Sequence, residues 1–394
     1  MTTRRHHALR AGLASLWSYL GRAVGLLWTV ALVHGLGVAA YGRYAVAVAC
    51  ASLINAGIDN AFHVRSLRLD EHRYEQERAA RTIVGIGVGA LGVVCFTEWF
   101  VVGFALVMAS GEMLFNTAKS RTLRGGRPDR TMRYDAARQA ASIGCGGAGL
   151  YLWSTPTIET VGALYLMPYA VVAAICLGYL PRRRPARPGA TGPAAALTLE
   201  AIAAAAYTQG DVVVIGWVAG DTVAGYYSLA FVAALAISSI GQNYANTFVE
   251  RMRNSGGHHS EAPSLRDSAR VGLVTGAGML IVGLGILVWG GADYTGVVAV
   301  VLSVFVAARA VDHTFVLLLI VRGHDRSRVR ITVVSAVLKI ALLTAVVTHF
   351  GGYGAAVTTA LCEVGVAFAL YRAAHGCVAP ALGADSIDSL GAPR

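Results

Sequence analysis

The chain has 394 residues, of which 55% are hydrophobic and only 14% charged, with a mean hydropathy of +0.56. A soluble globular protein carries roughly 25% charged residues, and its interior cannot hide this much apolar surface behind a polar skin, so a soluble enzyme is excluded. The net charge of +11 would suit nucleic acid, but the placement of the 33 basic residues along the chain argues against that partner.

Basic residues between Met1 and Arg10 lead into an apolar run too long for the core of a signal peptide, so this run reads as the first membrane helix. A spanning helix needs about 20 mainly apolar residues. Candidate spans lie at 11–35, 44–63, 82–97, 99–118, 136–153, 160–180, 195–218, 224–248, 271–290, 295–320, 331–349 and 354–372. The third and fourth meet at Thr97-Glu98-Trp99, and form either one interrupted stretch or two short helices. The fifth is rich in glycine between Ala141 and Leu150, and Pro168 is expected to kink the sixth. Pro181, Pro185, Pro188 and Pro193 gather in segment 181–194, which reads as a cytoplasmic linker. Residues 373–394 read as a short cytoplasmic tail.

Loop charge orients these spans. With the N-terminus in the cytoplasm, the inner segments hold 29 of the 33 basic residues, counting Arg138 and Arg372 with the loops they adjoin. The outer loops hold only Arg43, and Arg22, Arg309 and Lys339 fall inside spans. Cytoplasmic loops carry the excess of Lys and Arg, and removing one helix would exchange the sides of every later loop. The expected fold is therefore an all-α integral membrane protein of about twelve transmembrane helices with both termini cytoplasmic. The basic inner face also suits anionic membrane lipids.

Gly42-Arg43-Tyr44-Ala45-Val46-Ala47 is similar to Gly225-Tyr226-Tyr227-Ser228-Leu229-Ala230. Each follows a short outer loop and opens an inward-running helix. The two lie 183 residues apart, six helices on, so the halves share one orientation. This arrangement suits two six-helix lobes, residues 1–180 and 195–372, around a central cavity of the kind transporters use as a substrate path.

A charge at the bilayer centre costs at least ~2.5 kcal/mol on insertion scales. Arg22, Asp59, Glu112, Glu200, Asp211, Arg309, Asp312, Lys339 and Glu363 therefore each need a partner, a wet cavity or a function, with His313 as a titratable neighbour. If helices one and two turn near residue 40, Arg22 lies level with Asp59. A turn near 351 sets Lys339 level with Glu363. Each pair reads either as a tie fixing helix register or as part of a substrate path. Arg309, Asp312 and His313 share one face of helix ten. Arg22 and Arg309 are the stronger substrate cations, because a guanidinium binds phosphate oxygens in bidentate fashion, and Lys339 adds a point charge. Asp59, Glu112, Asp211, Asp312, His313 and Glu363 read as acidic or polar cavity groups or as ion-coupling groups. Asp211, in Gln209-Gly210-Asp211, has helix packing as an equal alternative. Glu112, Asn116 and Lys119 form one stripe, read first as a local contact at the inner interface.

Other chemistry finds little support. No Walker A loop is present, and the glycines between Gly144 and Gly149 lie in a membrane helix rather than after a strand. His258-His259 has no further ligands nearby, and the six cysteines are scattered as small buried hydrophobes. No catalytic residue, metal or cofactor is expected.

Three stretches carry a family likeness: Gly35 to Ala45 around the first turn, Gly210 to Gly216 with Val223 to Ala230, and Gly352 to Val357. They resemble the polysaccharide flippases of the multidrug/oligosaccharidyl-lipid/polysaccharide exporter superfamily. The resemblance implies two lobes around a cationic cavity that opens alternately inward and outward. It implies transport of a polyprenyl-diphosphate-linked oligosaccharide across a bacterial cytoplasmic membrane for cell-surface polysaccharide assembly, beside glycosyltransferases and a polysaccharide polymerase. This chain departs from the family in being short, with helices three to five compressed. A cation-coupled drug exporter of the same superfamily would want a carboxylate-led cavity, and helix one has no acidic residue. A membrane-embedded polymerase or ligase would want a catalytic group on a sizeable outer loop, and the outer loops are short.

Overall fold

A computed structural model describes residues 2–66, 70–124, 127–180, 185, 191–255, 258, 261–289 and 293–376. Within them the chain forms α1 (Thr2–Ser66), α2 (Glu71–Phe96), α3 (Phe100–Arg124), α4 (Pro128–Leu152), α5 (Ile158–Tyr179), α6 (Thr191–Val218), α7 (Asp221–Asn246), α8 (Val249–Asn254), α9 (Leu265–Trp289), α10 (Asp293–Val321) and α11 (Asp325–Gly376). Among the described residues nine helices are long and apolar enough to cross a membrane. On α9, Leu273, Val274 and Ile281 are each about 70% exposed, an apolar face suited to lipid. The chain is a multi-pass, all-helical membrane protein.

Two of these helices double back. In α1 the break is Gly37, at φ 83° and ψ 168°, and in α11 it is Gly351, at φ 55° and ψ −141°. Both lie at positive φ, which L side chains rarely adopt. Trp28 Nε1 donates to Tyr44 Oη at 3.3 Å, although 16 residues of straight helix would span about 24 Å. Across Gly351, Lys339 and Glu363 both touch Tyr207, which a straight helix would forbid. The first turn thus falls at Gly37 rather than near residue 40.

The stretch around Thr97-Glu98-Trp99 resolves as two helices meeting at a tight turn. A Cβ on Gly103 would lie 2.3 Å from Phe96 Cα, so only glycine lets α3 leave so close to α2. With 26, 25 and 25 residues, α2, α3 and α4 are full-length, not compressed. α2 also starts eleven residues before the expected span. Asp70 caps it by accepting from Arg73 N at 2.9 Å, and Glu75, Glu77, Arg78 and Arg81 are buried on this extension. Hydropathy locates only the lipid-length part of a helix, whereas a charged continuation is stabilised by pairing. α4 is too polar to count among the nine, and α5 runs as one helix through Pro168.

One apolar core is built on α1, α3, α4 and α5, around Trp28, Tyr44, Phe104 and Tyr165. The other is built on α6, α7, α9, α10 and α11, around Tyr227, Phe231, Leu302 and Leu343, and takes in Val46 and Ala49 of α1. The second limb of α1 therefore joins the two. The last four residues of the expected linker 181–194 belong to α6, which starts at Thr191; the rest of the linker except residue 185, and the tail after residue 376, lie outside the described residues.

Candidate functional site

Between these cores lies a cavity of about 500 Å³, lined by α1, α4, α5, α6, α7 and α10. That volume is within the range of small-ligand sites. Its wall on the α1 side is aromatic: Trp28 stacks on Tyr165 at 5.7 Å, and Tyr44 meets Tyr165 edge-on at 5.9 Å. Gln139 reaches in from α4 over Gly21 and Gly25, where a Cβ would lie 2.9 and 3.0 Å from its amide. Gln209, Gln242, Ser228, Ser238 and Ser239 add neutral polar groups. Arg309 and His313 come from α10. Among the described lining residues no carboxylate is present, and Arg309 is the permanent charge.

Arg309 is held from behind. Its Nη1 lies 3.0 Å from Glu363 Oε1 and 3.5 Å from Asp312 Oδ2, and Tyr207 Oη donates to the other Glu363 oxygen at 2.7 Å. His313 Nδ1 stands 3.9 Å from Asp312 Oδ1, an atom with no hydrogen-bond partner among the described residues. A second hollow of about 340 Å³ lies behind Arg309 between α6, α10 and α11, lined by Tyr207, Thr208, Asp312, Arg328, Thr332 and Ser335 among others. Arg309 stands in the wall between the two hollows. At the far end of the second, Arg328 Nη1 pairs with Glu200 Oε1 at 2.5 Å.

Lys339 and Glu363 do not pair with each other. Lys339 has no exposed surface; its Nζ donates to Tyr207 O at 2.7 Å and stands 2.7 Å from Asp211 Oδ1. The Asp211 contact is a charge contact, off the axis of a directed hydrogen bond. Tyr227 Oη and Thr359 Oγ1 each donate to Asp211 Oδ2 at 2.7 Å. The two residues are level, as expected, but Tyr207 of α6 stands between them and gives each a separate partner. Lys339 is thereby placed in a tie among α6, α7 and α11, away from the cavity wall.

Asp59, expected opposite Arg22, has partners on α2 and α3, namely Arg81 and Asn116. Moving the turn to Gly37 also takes Arg22 off the level of Asp59. The side chain of Arg22 lies outside the described residues, as does His259 of the histidine pair. Glu112 pairs with Arg138 of α4 at 3.1 Å and accepts from Tyr169 Oη at 2.6 Å, while Lys119 pairs with Asp135 at 2.5 Å. The stripe on α3 is thus satisfied across helices rather than along its own. Sequence reasoning missed Arg81, Arg138, Tyr207 and the aromatic wall. The two arginines sat at span edges and were counted with loops. An apolar helix with one tyrosine gave no signal that Tyr207 mattered.

Neither a known protein family nor a curated protein matches this chain by sequence. Solved structures do match it in shape. The lipid II flippase MurJ in an inward closed conformation superposes with a TM-score of 0.69 at 11% identity, over 92% of this chain and 87% of that one. An inward-facing multidrug-resistance MATE transporter gives 0.61 at 14% identity, over 93% and 97%. The fold is that of the multidrug/oligosaccharidyl-lipid/polysaccharide exporter (MOP) superfamily. A third match within this superfamily fold is a Pyrococcus furiosus transporter described as having a binding pocket of reversed polarity. It gives 0.53 at 12% identity, over 93% of this chain and 94% of that chain.

Proposed function

We propose that this chain is a flippase that carries a polyprenyl-diphosphate-linked oligosaccharide across a bacterial cytoplasmic membrane by alternating access. Counting each limb of α1 and α11 and adding α4 to the spans gives twelve crossings, six in each of two lobes, residues 1–180 and 195–372. The carrying observation is the polarity of the cavity: a guanidinium, neutral amides and hydroxyls, an aromatic wall, and no carboxylate among the described lining residues. A guanidinium fork matches a diphosphate, and amides match sugar hydroxyls. A cation exporter needs the opposite polarity. The likeness to a lipid II flippase supports a lipid-linked substrate. The basic inner segments support cytoplasmic termini. Glycosyltransferases would supply the substrate and a polymerase would receive it.

The test uses liposomes containing the purified chain and a fluorescent polyprenyl-diphosphate sugar, with an impermeant quencher reporting the leaflet. Arg309→Ala loses a charge-assisted contact worth about 1.5–3 kcal/mol, so flipping is expected to fall roughly ten- to a hundredfold. Arg309→Lys should retain part of it. Flipping left intact by both Arg309→Ala and Arg22→Ala overturns the charge assignment. Transport of cationic dyes without flipping overturns the substrate class in favour of the exporter.

A further inference from the structure

The two similar sequence stretches, 42–47 and 225–230, meet backbone to backbone. A Cβ on Gly42 would lie 1.8 Å from Asp221 O and 2.9 Å from Gly225 N. A Cβ on Gly225 would lie 2.3 Å from Val38 O. No other residue fits either place without separating α1 from α7. The crossing lies at one end of the central cavity. The α7 lining begins at Ser228, just beyond Gly225, and runs to Gln242 near the opposite end of the helix. The closed end is thus the end where α7 starts.

Arg43, the residue after the first glycine, ties the same place together through its side chain. Its Nη1 lies 3.2 Å from Glu159 Oε1 of α5, its Nε 3.9 Å from Asp221 Oδ2 of α7, and its guanidinium 5.5 Å from the Phe100 ring centre of α3. All three charged side chains are roughly 40% exposed (38–44%), so water and salt reach them. The position equivalent to Arg43 in the second stretch is Tyr226, which packs on Tyr294 at 5.6 Å, with Tyr294 on Tyr353 at 4.2 Å. That side is an aromatic stack among C-terminal helices. Only the first copy places an ion bridge between the two halves.

We infer that Gly42, Gly225 and Arg43 form an outer latch. The glycines allow the hairpin tips to close over the cavity, and the Arg43 bridge to Asp221 holds them closed until an exposed ion pair gives way. An exposed pair is weak, which suits a contact that must break in every cycle; its loss should shift the open fraction about two- to fivefold. This inference rests on the orientation and alternating access proposed above.

The test places Val48→Cys, in the cavity wall, into a chain with its six native cysteines replaced. Right-side-out vesicles then receive a membrane-impermeant maleimide. Arg43→Gln and Asp221→Asn should each raise the labelling rate about two- to fivefold. Raising external salt should speed labelling of the chain with Arg43 but not of Arg43→Gln, because salt screens exposed pairs. Gly225→Ala should label fast whatever the salt. If that variant does not fold, Arg43→Gln, at an exposed position, still decides. Unchanged labelling in both charge variants overturns the latch, and with flipping intact it overturns the latch alone. Faster labelling in a chain that does not flip the lipid supports the latch and removes the flippase reading. Labelling from the inner side only overturns the orientation.

Discussion

Lys339 has no exposed surface, and among the described residues its polar contacts come from α6: the carboxylate of Asp211 and the carbonyl of Tyr207. Removing one member of a buried pair strands the other, which costs about 3–5 kcal/mol. Replacing both by neutral groups of similar size costs much less. Lys339→Met and Asp211→Asn should each lower the unfolding temperature in detergent sharply, while the double variant recovers most of the loss. A double variant as unstable as the two single losses combined would show that the charges act independently. The need for such partners was legible, because a charge within an apolar span must be matched. Their identity was not. Hairpin arithmetic gives the depth of a residue and not its facing. Arg309 lines the cavity and Lys339 lies away from it, because α6 packs against both limbs of α11 and Tyr207 takes up Lys339, a neighbour that nothing in the sequence announced.

At the scale of elements, the apolar parts of most helices were legible and their polar continuations were not. α2 shows why. Its first eleven residues carry Glu75, Glu77, Arg78 and Arg81, which a hydropathy window reads as loop. They are helical because partners on α3 hold them: Arg78 Nε donates to Thr117 O at 3.0 Å, and Tyr74 bonds Ser120 at 2.6 Å. Asp70 starts this extension, and the Arg73 N–H beside it holds its carboxyl below the usual carboxylate range. A lowered folded-state pKa stabilises above the unfolded value, about 3.9, and that contribution is lost as pH falls through the lower folded value. Amide exchange at Arg73 and Tyr74 should therefore accelerate as pH drops below about 4, beyond its intrinsic pH dependence. In Asp70→Ala the amides should exchange fast at every pH. Equal protection in the two chains would mean that the cap is idle.

For the whole molecule, brevity lies in the connections and not in the helices. α2 and α3 are joined by three residues, and α6 and α7 by two. Charge asymmetry predicts the side of each end. A cysteine placed at Ser154, between α4 and α5, should react with an impermeant reagent in intact cells. One at Ser255, after α8, should react only once the membrane is opened. The reverse pattern would invert the chain. The likeness of the two stretches was visible in six residues, but only three dimensions show that they touch each other.

The placement of Arg309 has a thermodynamic corollary. The same guanidinium faces the central cavity on one side and the smaller hollow on the other, held by Glu363 and Asp312. Whatever draws it forward from the cavity must loosen its grip on those carboxylates. Linkage makes the effect mutual: a change at the carboxylates alters affinity in the cavity by the same factor that occupancy of the cavity alters the carboxylates. Occupancy of the cavity and the state of those carboxylates are therefore expected to be linked through this one side chain.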